Sequence, residues 1–300
     1  LVKQIAMTEF QYVRAAEVDE AVALLNEPGL RSRPLAGSTD LVLLLRADPS
    51  LCDRVVDISL IPEMHRITQH ADRVTLGAAA TFSEVMASPI VRRTAPFLAQ
   101  ACRQVGAVQI RNMGTIGGNV SNAAACADSL PVLVCLDTLA HVRTPASELT
   151  WPVSELIVKP NRTLIPAGGL LVTLSYPVPP ANCHSVFLKL GRRNAMAISR
   201  LTVAVLGRLD EAGRVADVRI VTGSATPQIS RIRPAEKTML GQKPGKDLYR
   251  ATARQVADEM IRLSGKRWSS EFKEPVLIAM TSRALAQVFE PENSVKVEGA

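Results

Sequence analysis

Two short clusters of small polar residues are the places where this sequence could do chemistry. The first is Ala36-Gly37-Ser38-Thr39-Asp40, and the second is Gly114-Thr115-Ile116-Gly117-Gly118-Asn119. Glycine lacks a Cβ, so backbone N–H groups around it can converge on one concave site and touch an anion. Ser38, Thr39, Thr115 and Asn119 add neutral donors. A helical pattern begins directly after the first cluster, and its N-terminus adds positive partial charge. Two such clusters from different subdomains can clamp a pyrophosphate without any lysine, which suits a dinucleotide cofactor held between them. Each also has a plainer reading: the first as a helix N-cap with a tight turn, the second as a turn at a strand end. Neither is a Walker A loop or a GxGxxG fingerprint.

Other chemistries find little support. The five cysteines (Cys52, Cys102, Cys126, Cys135 and Cys183) include no CxxC pair, and their number is odd. This argues against a disulfide framework or a zinc ribbon and fits reduced thiols in a cytoplasmic protein. The four histidines show no HxxxH or HxH spacing, so no metal site is expected. No histidine forms a credible nucleophilic triad. The net charge is +7, but the basic residues are scattered and aromatics are only 4%. A base-stacking platform is therefore poorly supplied, and a basic contact surface is expected rather than a nucleic-acid interface. No apolar run reaches the about 18 residues of a spanning helix, so no membrane insertion is expected. The residues before Met7 read as an extension or a processed end.

Elements must position the two clusters. Residues 17–26 place Val18, Ala21, Val22 and Leu25 on one helical face, which Pro28-Gly29 ends. A short strand leads into the first cluster, the hydrophobic helix "LVLLLRA" follows, and residues 54–59 read as a further strand. Residues 73–81 read as a strand, "SEVMAS" and "RTAPFLAQACRQV" as two helices, and "DSLPVLVCLDT" as a buried helix after Asp128. Asp128 itself could cap that helix. "LAHVRT" and "GGLLVTLSYPV" read as strands. Pro177, Pro179 and Pro180 mark a boundary. Beyond it come three strands, the last two joined by an Asp210–Gly213 hairpin turn. Helices about Ala235–Leu240, Lys246–Leu263 and Glu271–Phe289 follow. Strands first and helices after predict a separate α+β domain. The predicted organisation is thus 1–178, with subdomains of about 1–60 and 61–178, then 182–290, then a frayed tail at 291–300.

In order and setting, the two clusters resemble those of a family. It is that of the FAD-binding medium subunit of the molybdenum hydroxylases: xanthine dehydrogenase, aldehyde oxidase and carbon monoxide dehydrogenase. The resemblance runs from about Phe10 to Phe289. The family's A-G-G-T-D is here Ala36 to Asp40, and its I-R-N-x-G-T-I-G-G-N is matched at every defined position by Ile110 to Asn119. It implies an α+β fold: a two-subdomain FAD-binding domain of the PCMH type, then a C-terminal domain of the carbon monoxide dehydrogenase flavoprotein kind, a three-stranded antiparallel sheet with a helical bundle. By the same resemblance Leu35, Ala36, Gly37, Ser38, Thr39 and Asp40 wrap the FAD pyrophosphate and ribityl chain. Gly114, Thr115, Gly118 and Asn119 contact the phosphates from the other subdomain. Asp128 bonds the adenosine ribose. Leu171 lies beside the adenine or the flavin, with plain strand core as the alternative. Lys189 lies near the pyrimidine end of the flavin, with a solvated strand lysine as the alternative. Ile198 lies against the flavin ring, with simple core as the alternative.

Two departures stand out. Ser38 replaces the second glycine, and its Cβ disfavours positive φ. No four-cysteine insertion for a further iron–sulfur cluster is present. The function implied is an electron-transfer subunit, taking electrons from two 2Fe–2S clusters and passing them through FAD to an external acceptor such as NAD, a quinone or oxygen. A large subunit would carry the molybdopterin cofactor and a small one the 2Fe–2S clusters, in a dimer of heterotrimers, and this chain alone would not act on the organic substrate. The alternatives are an autonomous FAD-dependent oxidoreductase and a flavin-free scaffold subunit.

Overall fold

A computed structural model describes residues 10–290. The expected frayed tail at 291–300 and the stretch before Met7 lie outside the described residues. The chain opens as a small α/β unit: β1 (Gln11–Arg14), α1 (Val18–Leu25), β2 (Ser32–Leu35), α2 (Leu41–Ala47) and β3 (Arg54–Asp57). Its sheet has the order β1-β3-β2, and both pairings are parallel. Helix α1 buries Val18, Ala21, Val22 and Leu25, the face expected from their spacing. All four residues of β3 are buried, as a central parallel strand requires.

The next unit is built on a five-stranded antiparallel sheet. In chain order it contains β4 (Ile67–His70), β5 (Arg73–Gly77), α3 (Phe82–Ala87), α4 (Pro89–Thr94), α5 (Pro96–Arg103), α6 (Val108–Met113), α7 (Ile116–Asn122) and α8 (Ser129–Cys135). Then come β6 (Leu139–Arg143), β7 (Glu148–Pro152), α9 (Val153–Leu156), the small ribbon β8 (Ile157–Lys159) and β9 (Arg162–Thr163), and β10 (Leu170–Pro177). The strand order is β4-β5-β10-β6-β7.

Three features differ from the sequence expectations. The stretch read as one helix from Arg93 is divided, with α4 ending at Thr94 and α5 starting at Pro96. Proline has no N–H to continue a helix, and it clashes with the carbonyl four residues back. The cluster Gly114–Asn119, read as a loop, is instead the entry to α7. Thr115 caps that helix, its Oγ1 accepting the Gly118 N–H at 3.0 Å. Strands β1, β4, β7, β8 and β9 and helices α6 and α9 were not anticipated; β1 and β4 are mostly exposed four-residue strands.

The last unit has β11 (His184–Leu190), β12 (Leu201–Leu209) and β13 (Val215–Gly223) in a three-stranded antiparallel sheet. The predicted hairpin turn is present, with Gly213 at φ +70° and the Asp210 N–H donating to the Arg214 carbonyl. Three helices follow: α10 (Arg233–Met239), α11 (Lys246–Ser264) and α12 (Ser270–Phe289). Residues 201–207 of β12 are buried without a break. The alternation of side chains explains this: Ala204 and Leu206 join the core of the preceding unit, while Val203 and Val205 join the core under the helices. The sheet therefore lies between α5 and α8 on one face and α12 on the other. Among the described residues, no helix is long and apolar enough to cross a membrane.

Candidate functional site

The strand β2 ends at Leu35, and the chain turns through residues 36–40 before α2 begins. Ser38 has φ +58°, the left-handed region that favours glycine. Serine thus takes up the strained conformation that its position demands. Among the described residues, no acceptor receives the backbone N–H groups of Gly37, Ser38, Thr39 or Asp40. Asp40 makes no side-chain cap, and α2 has only seven residues. The unpaired N–H groups, rather than a long helix dipole, are the donor set here.

The second cluster meets the first at Gly37. A Cβ on Gly37 would lie 1.9 Å from the Met113 carbonyl oxygen and 2.9 Å from the Gly114 Cα. Only glycine permits this approach. The second cluster is itself sewn to the strap after β5. The Phe82 N–H donates to the Gly114 carbonyl at 3.0 Å, the Ile116 N–H to Ala80 at 2.9 Å and the Gly117 N–H to Ala78 at 2.9 Å. Gly117 is locked in place, since a Cβ there would meet Ala78 at 2.4 Å. Gly118 is exposed, and a Cβ there meets only the Thr115 Oγ1 at 2.8 Å. Asn119 is half-buried, and its Oδ1 accepts the Ser129 hydroxyl at 2.6 Å. The structure thus brings Leu35–Asp40 and Gly114–Asn119 together from two different sheets. A glycine-lined turn with orphaned N–H donors, set against a second glycine-rich cluster, is the arrangement a pyrophosphate requires, so the residues present fit a dinucleotide such as FAD.

A second group of expected residues gathers around Asp128. The Lys189 Nζ lies 2.6 Å from the Asp128 Oδ2, and each side chain is only 7% exposed. Lys189 also donates to the Gln104 carbonyl at 2.8 Å. The Ser199 hydroxyl donates to Asp128 Oδ1. Asp128 does not cap α8, because its carboxylate is committed to these partners. Burial pushes its carboxyl above the ordinary carboxylate range, and the bonds from Lys189 and Ser199 offset this only in part. Lys189 is not the solvated strand lysine offered as its alternative.

The sequence reading gave Asp128 to the adenosine ribose and Lys189 to the pyrimidine end of the flavin, and the structure places these two side chains in direct contact. Ile198 precedes Ser199 and is 77% exposed, so it is not core. Leu171 is 5% exposed and belongs to the core of the second unit, beside a bulge in β10. Ser199 and the Gln104 carbonyl were missed by sequence reasoning. Neither carries a periodic or motif signal; Ser199 only neighbours a residue already singled out. Among the described residues, no group of three or more His, Cys, Asp or Glu side chains could hold a metal ion.

Residues 8–179 match the family model described as the FAD binding domain in molybdopterin dehydrogenase, and residues 186–288 match the CO dehydrogenase flavoprotein C-terminal domain. The chain is 28% identical over 281 residues to the glyceraldehyde dehydrogenase medium chain of Sulfolobus acidocaldarius, covering 93% of this chain and 98% of that one. It is 29% identical over 278 residues to a putative xanthine dehydrogenase FAD-binding subunit of Escherichia coli, covering 92% and 94%. Among solved structures, it resembles carbon monoxide dehydrogenase from Hydrogenophaga pseudoflava with a TM-score of 0.87 and 25% identity, over 94% of this chain and 98% of that one. The chain belongs to the family of FAD-binding medium subunits of the molybdenum hydroxylases and is an oxidoreductase component.

Proposed function

We propose that this chain is the electron-transfer subunit of a heteromeric molybdenum hydroxylase. In this reading a small partner carries two 2Fe–2S clusters and a large partner carries the molybdopterin cofactor, assembled as a dimer of heterotrimers. Electrons leave the complex here, to an external acceptor. The carrying observation is the contact of Gly37 with Met113, which sets the unpaired N–H groups of residues 37–40 against the second cluster.

When bound, FAD supplies the exchange between single-electron and two-electron transfer. The chain supplies position and electrostatics. The N–H groups of residues 37–40, with Thr115, Gly118 and Asn119, hold the pyrophosphate. We assign Asp128 to the flavin end, together with Lys189 and Ile198, because Lys189 and Ser199 both bind it. Asp128 holds the Lys189 ammonium in place, and Ser199 holds Asp128. A fixed cation at the pyrimidine end favours negative charge on that edge. Ile198 offers an exposed apolar cover for the ring.

Reconstitution with FAD tests the reading. The wild-type chain should take up flavin and show no turnover of an organic substrate until partner chains are added. Gly118→Glu should abolish flavin retention without unfolding the chain, because Gly118 is exposed, a Cβ there meets only the Thr115 hydroxyl, and a carboxylate would repel the pyrophosphate. Full flavin content in that variant would remove the second cluster from the cradle. Turnover of a small substrate by the isolated chain would sink the subunit assignment.

A further inference from the structure

The loop joining α11 to α12, the start of α12 and the residue before β12 supply three cations without a counter-ion. Among the described residues, Arg200, Arg267 and Lys273 form no ion pair. Glu271 and Glu274 lie on the same helix and pair with none of them. Lys273 is half-buried, and its Nζ donates to the Ser224 carbonyl at 2.7 Å. Burial, followed by the positive charges of Arg267 and Arg200, holds its ammonium below the ordinary lysine range. Like charges gathered at a partly desolvated place repel one another, and an anion placed among them removes that cost.

Aromatic surface adjoins these cations. Trp268 is 89% exposed, and Phe272 is 49% exposed. The Arg200 guanidinium carbon lies 5.9 Å from the centre of the Phe272 ring. An indole so open to water, on the residue that follows Arg267, offers a stacking face for a planar base. The cluster is also connected to the flavin end of the cradle. Lys273 bonds the Ser224 carbonyl, the Ser224 hydroxyl donates to the Ser199 carbonyl at 3.1 Å, and the Ser199 hydroxyl donates to Asp128.

We propose that Arg200, Arg267, Lys273 and the Trp268 indole form a binding site for a phosphate-bearing nucleotide distinct from FAD, and that this nucleotide is the external acceptor. The acceptor role rests on the function proposed above; the binding itself does not. The guanidinium and ammonium groups take the phosphates and the indole takes a base. A quinone or oxygen offers this cluster no anion, so the site favours a nicotinamide dinucleotide among the three acceptor types.

Full-length protein loaded with FAD is titrated separately with NAD, ADP-ribose and inorganic phosphate while tryptophan emission is followed. The protein has two tryptophans, and Trp268→Phe identifies which one responds. NAD and ADP-ribose should quench emission saturably in the wild type and not in Trp268→Phe. Lys273→Gln and Arg267→Gln should each weaken binding by about tenfold or more, as loss of a charge-assisted phosphate contact does, while flavin content stays unchanged. Arg267 is exposed, so its variant carries the test if Lys273→Gln does not fold. No saturable response, or unaltered affinity in the charge variants, overturns the proposal. Loss of FAD from a folded charge variant also overturns it, because the cluster would then belong to the FAD site. A chain that binds ADP-ribose but never takes up FAD would defeat the proposed function and leave this site standing.

Discussion

At the Asp128 pair, an ammonium and a carboxylate meet with 7% of each side chain exposed. Taking both from water costs several kcal/mol per ion, and their mutual attraction must offset this. Removing one partner leaves the other buried and unpaired. Asp128→Asn is therefore expected to lower stability by about 3–5 kcal/mol, read from urea denaturation of the flavin-free chain. Adding Lys189→Met should recover much of the loss, since no charge is then stranded. A single variant as stable as the parent would mean that the Gln104 carbonyl and solvent suffice for Lys189. Ser199 belongs to the same cluster through its bond to the carboxylate. A lone serine in a sequence announces nothing, and only the return of β12 towards α8 gives it a role.

Among the elements, the cradle depends on how closely two turns approach. Gly37→Ala would place a methyl group 1.9 Å from the Met113 carbonyl, and both turns are backbone, so one must move. The expected cost is about 1–3 kcal/mol in stability, together with loss of flavin, checked by the absorbance of the purified protein after FAD loading. Unchanged flavin content would mean that the turns can separate without opening the cradle. Both clusters were legible in the sequence because glycines and small hydroxyl residues concentrate only where backbone must be free. Helices α1, α11 and α12 were legible from their spacing, and α10 within two residues of its ends. The helical entry at Thr115 was not, because two adjacent glycines argue against a helix until a cap stabilises it. The meeting of Asp128 with Lys189 was not either. It joins positions 61 residues apart in sequence, and no local pattern encodes such a distance.

For the whole molecule, the last sheet serves two cores. Phe187, Ala204, Leu206 and Val221 pack into the core that begins at Ala15, while Leu188, Val203 and Val205 pack under the C-terminal helices. Phe187 is fully buried, and Phe187→Ala should cost about 3–5 kcal/mol. Because that ring belongs to the core of the cradle unit, the variant should lower the melting temperature and the flavin affinity together. A fall in stability with flavin binding untouched would mean that the two units respond independently.

Shared burial of this kind also bears on how the protein is made. Synthesis proceeds from the N-terminus, and domains usually collapse as they leave the ribosome. Here the core that supports the cradle still lacks Phe187, Ala204, Leu206 and Val221 when residue 178 emerges. Until β13 has been translated, the apolar side of α5 and α8 has nothing to cover it, so the nascent chain must wait, bare and sticky, for the strands that finish it.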